Sequence, residues 1–270
     1  LSAGRLVLER PKSEYAKAIR RIARELGDVR VGLALGGGAA FGLAQIGIIK
    51  TLEREDVPID AVTGSSIGAL VGALWAVGLN SGEIEKVVLD YNNDKKKAFR
   101  LLFDFGFPKL SFVKGKRIRS FLLKHLDKKT FQDIKFPFKI AACNISRREE
   151  FIFDSGSLID AVMASIAIPG VFAPLKRNGD LIIDGGIIDP VPIGPLVKMG
   201  IKKIIAVNVL PSSENILQSY EFNRKRLLEE ERRAEQRGFF AKIAQKLSAR
   251  FQKMLFPNIL DIIVNSIQTM

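Results

Sequence analysis

Ala61-Val62-Thr63-Gly64-Ser65-Ser66-Ile67-Gly68-Ala69-Leu70 is the stretch around which the chain is organised. Its first three residues read as a short buried strand. Residues 67–77, rich in Ala, Leu and Val, read as a buried helix. Between them lies Gly64-Ser65-Ser66-Ile67-Gly68, a G-x-S-x-G pentapeptide centred on Ser66. A serine squeezed between strand and helix sits on a sharp turn that only small neighbours tolerate. The turn pushes its hydroxyl out at a helix N-terminus, where N–H groups favour negative charge. Taken alone, the pentapeptide is equally a Gly/Ser turn without chemistry, so its surroundings decide.

Upstream, residues 29–35 alternate and then run apolar, as a first core strand does. The strand ends in Gly36-Gly37-Gly38-Ala39-Ala40-Phe41-Gly42, and a helix follows over 43–54 with Leu43, Ile46, Ile49 and Leu52 at helical spacing. Strand, glycine loop and helix make an anion cradle, because glycine lets backbone N–H groups approach a ligand closely. A dinucleotide pyrophosphate or an oxyanion would suit it. The dinucleotide reading requires an acidic residue at the end of the second strand. That position holds Thr63-Gly64-Ser65-Ser66 instead. Neighbouring parallel strands deliver their C-terminal loops to one rim, so the glycine loop and Ser66 are expected to meet there as oxyanion hole and nucleophile.

The chain has 270 residues, 47% hydrophobic, enough for a substantial core. Its one cysteine, Cys143, forms no internal disulfide and fits a reducing compartment. No segment has the order of a signal peptide and no apolar run is long enough to span a bilayer. The first residue is Leu1 rather than Met, so a fragment of a longer chain is one expectation. A net charge of +13 suits an anionic partner. Zinc-finger spacing, zipper heptads and a basic–aromatic RNA-binding sheet are all missing, which turns the expectation from nucleic acid to an anionic membrane surface.

Residues 13–26 carry Ala16, Ile19, Ile22, Ala23 and Leu26 at helical spacing before Gly27, an amphipathic lead-in helix. Ser81 reads as the N-cap of a helix over 82–91. Residues 95–129 hold twelve Lys and Arg against Asp104 and Asp127, with Phe99, Phe103, Phe105, Phe107 and Phe112 interleaved. Such a mixture suits a headgroup-contacting surface or a basic face whose aromatics turn inward. Over 120–129 the pattern is helical and favours the inward reading; 98–113 reads as a lid. Residues 137–144 and 150–153 form a hairpin across 146–148, 157–166 an Ala-rich helix, 181–183 a strand, 194–199 a helix and 203–209 the last strand. The tail is helical, densely charged over 221–236. Over 239–255 it is amphipathic, suiting either an interface or docking on the domain.

A serine hydroxyl is a weak nucleophile until a base takes its proton. The single histidine, His125, lies in a basic amphipathic pattern and precedes the late-strand loops, so the chain order of an α/β-hydrolase triad is not met. It reads as a surface or packing residue. The base is then a carboxylate, a lysine or nothing. Asp184 has the best context: it directly follows an apolar strand, so it is expected to reach the same edge of the sheet as Ser66, and Gly185 and Gly186 after it leave room between the two. An Asp-Gly turn without chemistry is the plain alternative. Asp189, Asp154 and Asp160 are weaker candidates.

Together the glycine loop 36–42, the pentapeptide 64–68 and Asp184-Gly185-Gly186 resemble the patatin-like phospholipase family, as does Ala164-Ser165-Ile166-Ala167-Ile168-Pro169-Gly170-Val171-Phe172. The flanks resemble its neuropathy-target-esterase-type branch, whose members often carry cyclic-nucleotide-binding domains upstream. The resemblance covers about 29–209. It implies a calcium-independent lipid acyl hydrolase with no cofactor and no metal, Ser66 as nucleophile and Asp184 as base. The oxyanion donors would be Gly37 and Gly38, joined by Gly36 or Ala39. One departure is Phe41, which stands where such proteins carry an arginine. The backbone donors do not depend on that side chain, whereas a headgroup contact or a lock on the loop would.

The expectation is therefore an α/β three-layer domain with a mainly parallel sheet over 29–210, preceded by a lead-in helix over 1–28 and followed by a helical tail over 211–270. The expected substrate is a phospholipid or lysophospholipid, and the expected location cytoplasmic and peripherally membrane-associated. The competing expectation is a non-catalytic lipid-binding module on the same fold.

Overall fold

In the computed structural model, which describes residues 8–10, 13–92 and 115–210, seven strands form one mixed sheet. Its parallel part runs β7 (Lys203–Val207), β1 (Val31–Leu35), β2 (Ala61–Ser65), β3 (Phe138–Asn144). Alternation along β1 serves two cores. Leu33 and Leu35 face the large one, with Val62, Ile140, the helices that follow β1 and β2, and the helix Leu158–Ser165. Ala34 and Ala61 face a smaller core with Leu196 and Ile201. Helices on both faces make the three-layer arrangement expected from strands alternating with apolar helical segments.

Between β1 and β2 come a 3₁₀ turn, Ala39–Leu43, and α2 (Ala44–Arg54), which buries Gln45, Ile46 and Ile49. After β2, α3 (Ile67–Ala76) is apolar all round and buried. The next helix, α4 (Ser81–Asn92), is capped by Asn80 rather than by Ser81. Asn80 Oδ1 accepts from Glu83 N–H and Glu83 Oε2 accepts from Asn80 N–H, a reciprocal box one residue earlier than expected. Helix α5 (Lys116–Leu126) buries Ile118, Phe121, Leu122 and Leu126 and leaves its basic residues outward, the inward reading of that stretch. The expected lid over 98–113 and the tail over 211–270 lie outside the described residues.

The lead-in helix, α1 (Glu14–Leu26), starts at Ser13, whose hydroxyl accepts from Ala16 N–H. Its attachment differs from its apolar periodicity. Of the expected stripe only Ala16 is buried; Ile22 and Leu26 are 52% and 84% exposed. The helix is held by polar contacts instead. Arg24 clamps the buried Asp60 carboxylate with three contacts of 2.6–3.0 Å.

The far side of the sheet corrects the reading of Asp184. A hairpin joins β3 to β4 (Glu149–Phe153) along one edge of β3. The other edge pairs with β2 over Phe138–Ala141 and then with β6 (Asp180–Asp184) over Ala142–Asn144. Thus β6 is antiparallel, followed outward by the unanticipated short strand β5 (Leu175–Arg177). Asp184 does not reach Ser66 along a shared rim of parallel strands. The strands β2 and β6 run head-on against the same edge of β3, and their C-terminal ends meet. Helix α6 (Leu158–Ser165), capped by Ser157, precedes β5, and α7 (Gly194–Lys198) precedes β7.

Candidate active site

Ser66 stands between the last residue of β2 and the first of α3, at φ 53 and ψ −120. A non-glycine residue there carries strain of about 1–3 kcal/mol, sustained only when its surroundings hold it. The flanking glycines are required by close backbone approach. A Cβ on Gly64 would meet the Gly68 carbonyl at 2.7 Å, and one on Gly68 would fall on the Leu35 carbonyl. The start of α3 is thereby pressed onto the end of β1, where the glycine loop begins.

The Ser66 hydroxyl does not cap its own helix. Its Oγ donates to Asp184 Oδ2 at 2.7 Å, a contact between two buried residues, 8% and 5% exposed. The other carboxylate oxygen, Oδ1, accepts from Gly186 N–H at 2.7 Å. Gly185 is glycine because a Cβ there would fall on the Ala141 carbonyl. Burial raises the Asp184 carboxyl from its ordinary 3.8 to about 6, against the hydrogen bonds from Ser66 and Gly186 that favour the charged form. Asp184 is thus a stronger base than an ordinary carboxylate, yet largely ionised at neutral pH. The weaker candidates are elsewhere: Asp154 contacts Lys139, Asp160 pairs with Arg119, and Asp189 faces Glu150. His125 lies on α5 with its ring 4.8 Å from that of Phe121, and burial lowers its pKa, as suits a packing residue.

The glycine loop lies against Ser66. A Cβ placed on Gly37 would be 3.4 Å from Ser66 Cβ. Of the four residues expected to supply oxyanion donors, two have their N–H groups engaged. Gly36 donates to Val207 O at 3.0 Å and Gly37 to Pro190 O at 2.7 Å. Gly38 and Ala39 carry the next two N–H groups, and neither is engaged by a carbonyl or side chain among the described residues. Ala39, at φ 47, holds the left-handed conformation that glycine adopts more easily. Phe41 is 63% exposed, and its backbone N–H closes the turn onto Gly38 O.

Two polar residues that support this arrangement carried no role in the sequence reading. Gln45, fully buried on α2, donates from Nε2 to Gly36 O at 2.5 Å and so ties the loop from below. Its signal was a polar side chain on the buried stripe with Ile49 and Leu52. Ser165, at the end of α6, accepts the Ser66 N–H at 2.8 Å. It lay within a segment recognised by resemblance only. Thr63 adds a brace: its hydroxyl donates to Pro192 O at 2.5 Å, holding the turn whose Pro190 carbonyl receives Gly37.

A family model described as patatin-like phospholipase matches residues 33–197. Among curated relatives, lysophospholipase NTE1 of Candida albicans is 31% identical over 195 residues, 72% of this chain and 14% of that one. Lysophospholipase NTE1 of Pyricularia oryzae is 33% identical over 210 residues, 78% of this chain and 14% of that one. The chain thus spans 14% of the length of either relative. Among solved structures, VipD from Legionella pneumophila is similar at a TM-score of 0.38 and 18% identity, covering 60% of this chain and 46% of that one, a likeness too distant to bear on the site. With the family model spanning β1 to α7 and both relatives above 30% identity, this chain belongs to the patatin-like phospholipase family.

Proposed function

We propose that this chain is a serine lipid acyl hydrolase that cleaves fatty-acyl esters of phospholipids or lysophospholipids through a Ser66–Asp184 dyad and an acyl-enzyme. The observation that carries the reading is the 2.7 Å bond from Ser66 Oγ to Asp184 Oδ2 beside a loop with two N–H groups that nothing among the described residues engages. Asp184 takes the hydroxyl proton as Oγ attacks the ester carbonyl carbon. The N–H groups of Gly38 and Ala39 receive the oxyanion, a term worth several kcal/mol in acyl transfer. Collapse breaks the ester C–O bond, and the departing alcohol leaves with the proton from Asp184. Water then attacks the acyl-enzyme with Asp184 as base, releasing fatty acid and restoring Ser66.

The substrate class is that named for the relatives. The net charge of +13 supports docking at an anionic membrane surface, with a cytoplasmic, peripheral location. No helix among the described residues is long and apolar enough to cross a membrane. The test is fatty-acid release from lysophospholipid and from a short-chain ester. Ser66→Ala and Asp184→Asn are each expected to abolish it, and activity retained in either variant would refute the assignment.

The second reading, a lipid-binding module without chemistry, is favoured by one observation: the exposed Phe41, at the position where the family resemblance implies an arginine. Covalent labelling by a fluorophosphonate separates the two. A folded chain whose Ser66 is not labelled would be a binding module.

A further inference from the structure

The dyad joins residues 118 positions apart in the chain, on strands that meet only end to end. Nothing in the β2–β3 ladder fixes Ser66 itself, because the last register pair is Ser65 with Ala141. The end of α6 reaches both partners. Ser165 is fully buried and its Oγ accepts from Ser66 N–H at 2.8 Å while donating to Ala141 O at 2.6 Å. Two residues on, the Ala167 carbonyl accepts the Asp184 N–H at 3.0 Å. One short segment therefore grips the backbone of nucleophile and base alike.

The direction of the Ser165 bond is dictated by chemistry. A hydroxyl has one proton, and with that proton on Ala141 O only lone pairs face Ser66. The Ser66 N–H stands at the N-terminus of α3, where no helical carbonyl can receive it. Without Ser165 it would be a buried donor with no acceptor, on a residue whose backbone is already strained.

We propose that Ser165 is the positioning residue of the dyad: its hydroxyl, bridging Ala141 O to Ser66 N–H, holds Ser66 in the turn that aims Oγ at Asp184. The proposal rests on the hydrolase reading of the same site, and its test separates the two. On the full 270-residue chain, Ser165→Ala is expected to lower kcat about ten- to a hundredfold with KM within about twofold, and to slow fluorophosphonate labelling of Ser66 by the same factor. Hydrogen exchange of the Ser66 amide, followed by NMR, is expected to quicken at least about tenfold. Ser165→Thr, which keeps the hydroxyl, restores most of both. Ser157→Ala is the control: it removes the N-cap of the same helix, weakens the fold and leaves kcat unchanged.

Unchanged kcat in a folded Ser165→Ala chain overturns the proposal, as does a loss of kcat with the Ser66 amide still protected. Should Ser165→Ala fail to fold, Ser165→Cys, similar in shape but a weak acceptor, takes its place with a smaller expected loss in both readouts. If Ser66→Ala leaves wild-type hydrolysis intact, the hydrolase reading falls, and amide exchange alone decides whether Ser165 holds Ser66.

Discussion

Replacing Asp184 by Asn separates chemistry from stability. The carboxyl titrates at about 6 in the folded protein against an ordinary 3.8, because burial disfavours its charge. The folded value lies above the unfolded one, so the folded state binds the proton more tightly. Stability is therefore lost as pH rises from about 4 and levels off above about 6. At 1.36 kcal/mol per pH unit the full penalty is about 3 kcal/mol, of which roughly 2–3 kcal/mol develops between pH 4 and pH 7. Asn carries no such penalty. It can still accept from Gly186 N–H, the contact that Oδ1 makes now. Asp184→Asn is thus expected to be inactive at every pH and to gain stability over wild type by roughly 2–3 kcal/mol as pH goes from 4 to 7. Denaturant unfolding of both chains at several pH values, read at constant m, measures the gain. In parallel, wild-type kcat/KM is expected to fall about tenfold per pH unit below about 6. A stability difference that stays flat across this window would refute the burial argument, and a kcat/KM without an acid limb near 6 would remove Asp184 as the base.

Further outcomes follow from the packing and from the net charge. Arg24→Ala leaves the buried Asp60 carboxylate with the Val31 N–H as its one partner among the described residues and is expected to destabilise by about 2–3 kcal/mol in denaturant melts; Arg24→Ala with Asp60→Asn recovers part of this. Gly68→Ala places a methyl group on the Leu35 carbonyl and is expected to cost about 3 kcal/mol or more. Gly47→Ala, in α2 with open space around it, is expected to gain about 0.5–1 kcal/mol in the same assay. Sedimentation with vesicles is expected to require anionic lipid and to weaken as salt rises from about 0.05 to about 0.5 M, which shortens the Debye length about threefold; equal binding to neutral vesicles would remove the electrostatic part.

Much of this protein was legible along the chain because its signals are local. Apolar runs ending in glycine marked β1 and β2, and the small residues of 64–68 marked the turn that holds Ser66. Each depends on sterics between residues a few positions apart. The burial of Phe121 and the hairpin before Glu149 were local in the same sense. Capping was less secure: Asn80 and Ser81 are both good caps, and a reciprocal bond with Glu83 chose the first.

What the chain alone determined was therefore the set of groups proposed for the site: a hydroxyl on a tight turn, a glycine loop and an acid after a strand. Tertiary structure decided how they meet. An apolar strand looks the same whether its neighbour is parallel or antiparallel, so only pairing on β3 revealed that β6 arrives head-on. Likewise, which loop N–H groups are engaged depends on Val207 and Pro190, more than 150 residues away. Ser165 read as an ordinary polar residue in sequence, because a hydrogen bond across 99 residues leaves no periodicity to detect. Gln45 left only the trace of a polar residue in an apolar helical stripe, which does not reveal its bond to Gly36. The exposed stripe of α1 makes the same point in reverse: spacing gives a helix an apolar face, but Arg24 and Asp60 decided which face was turned to the sheet.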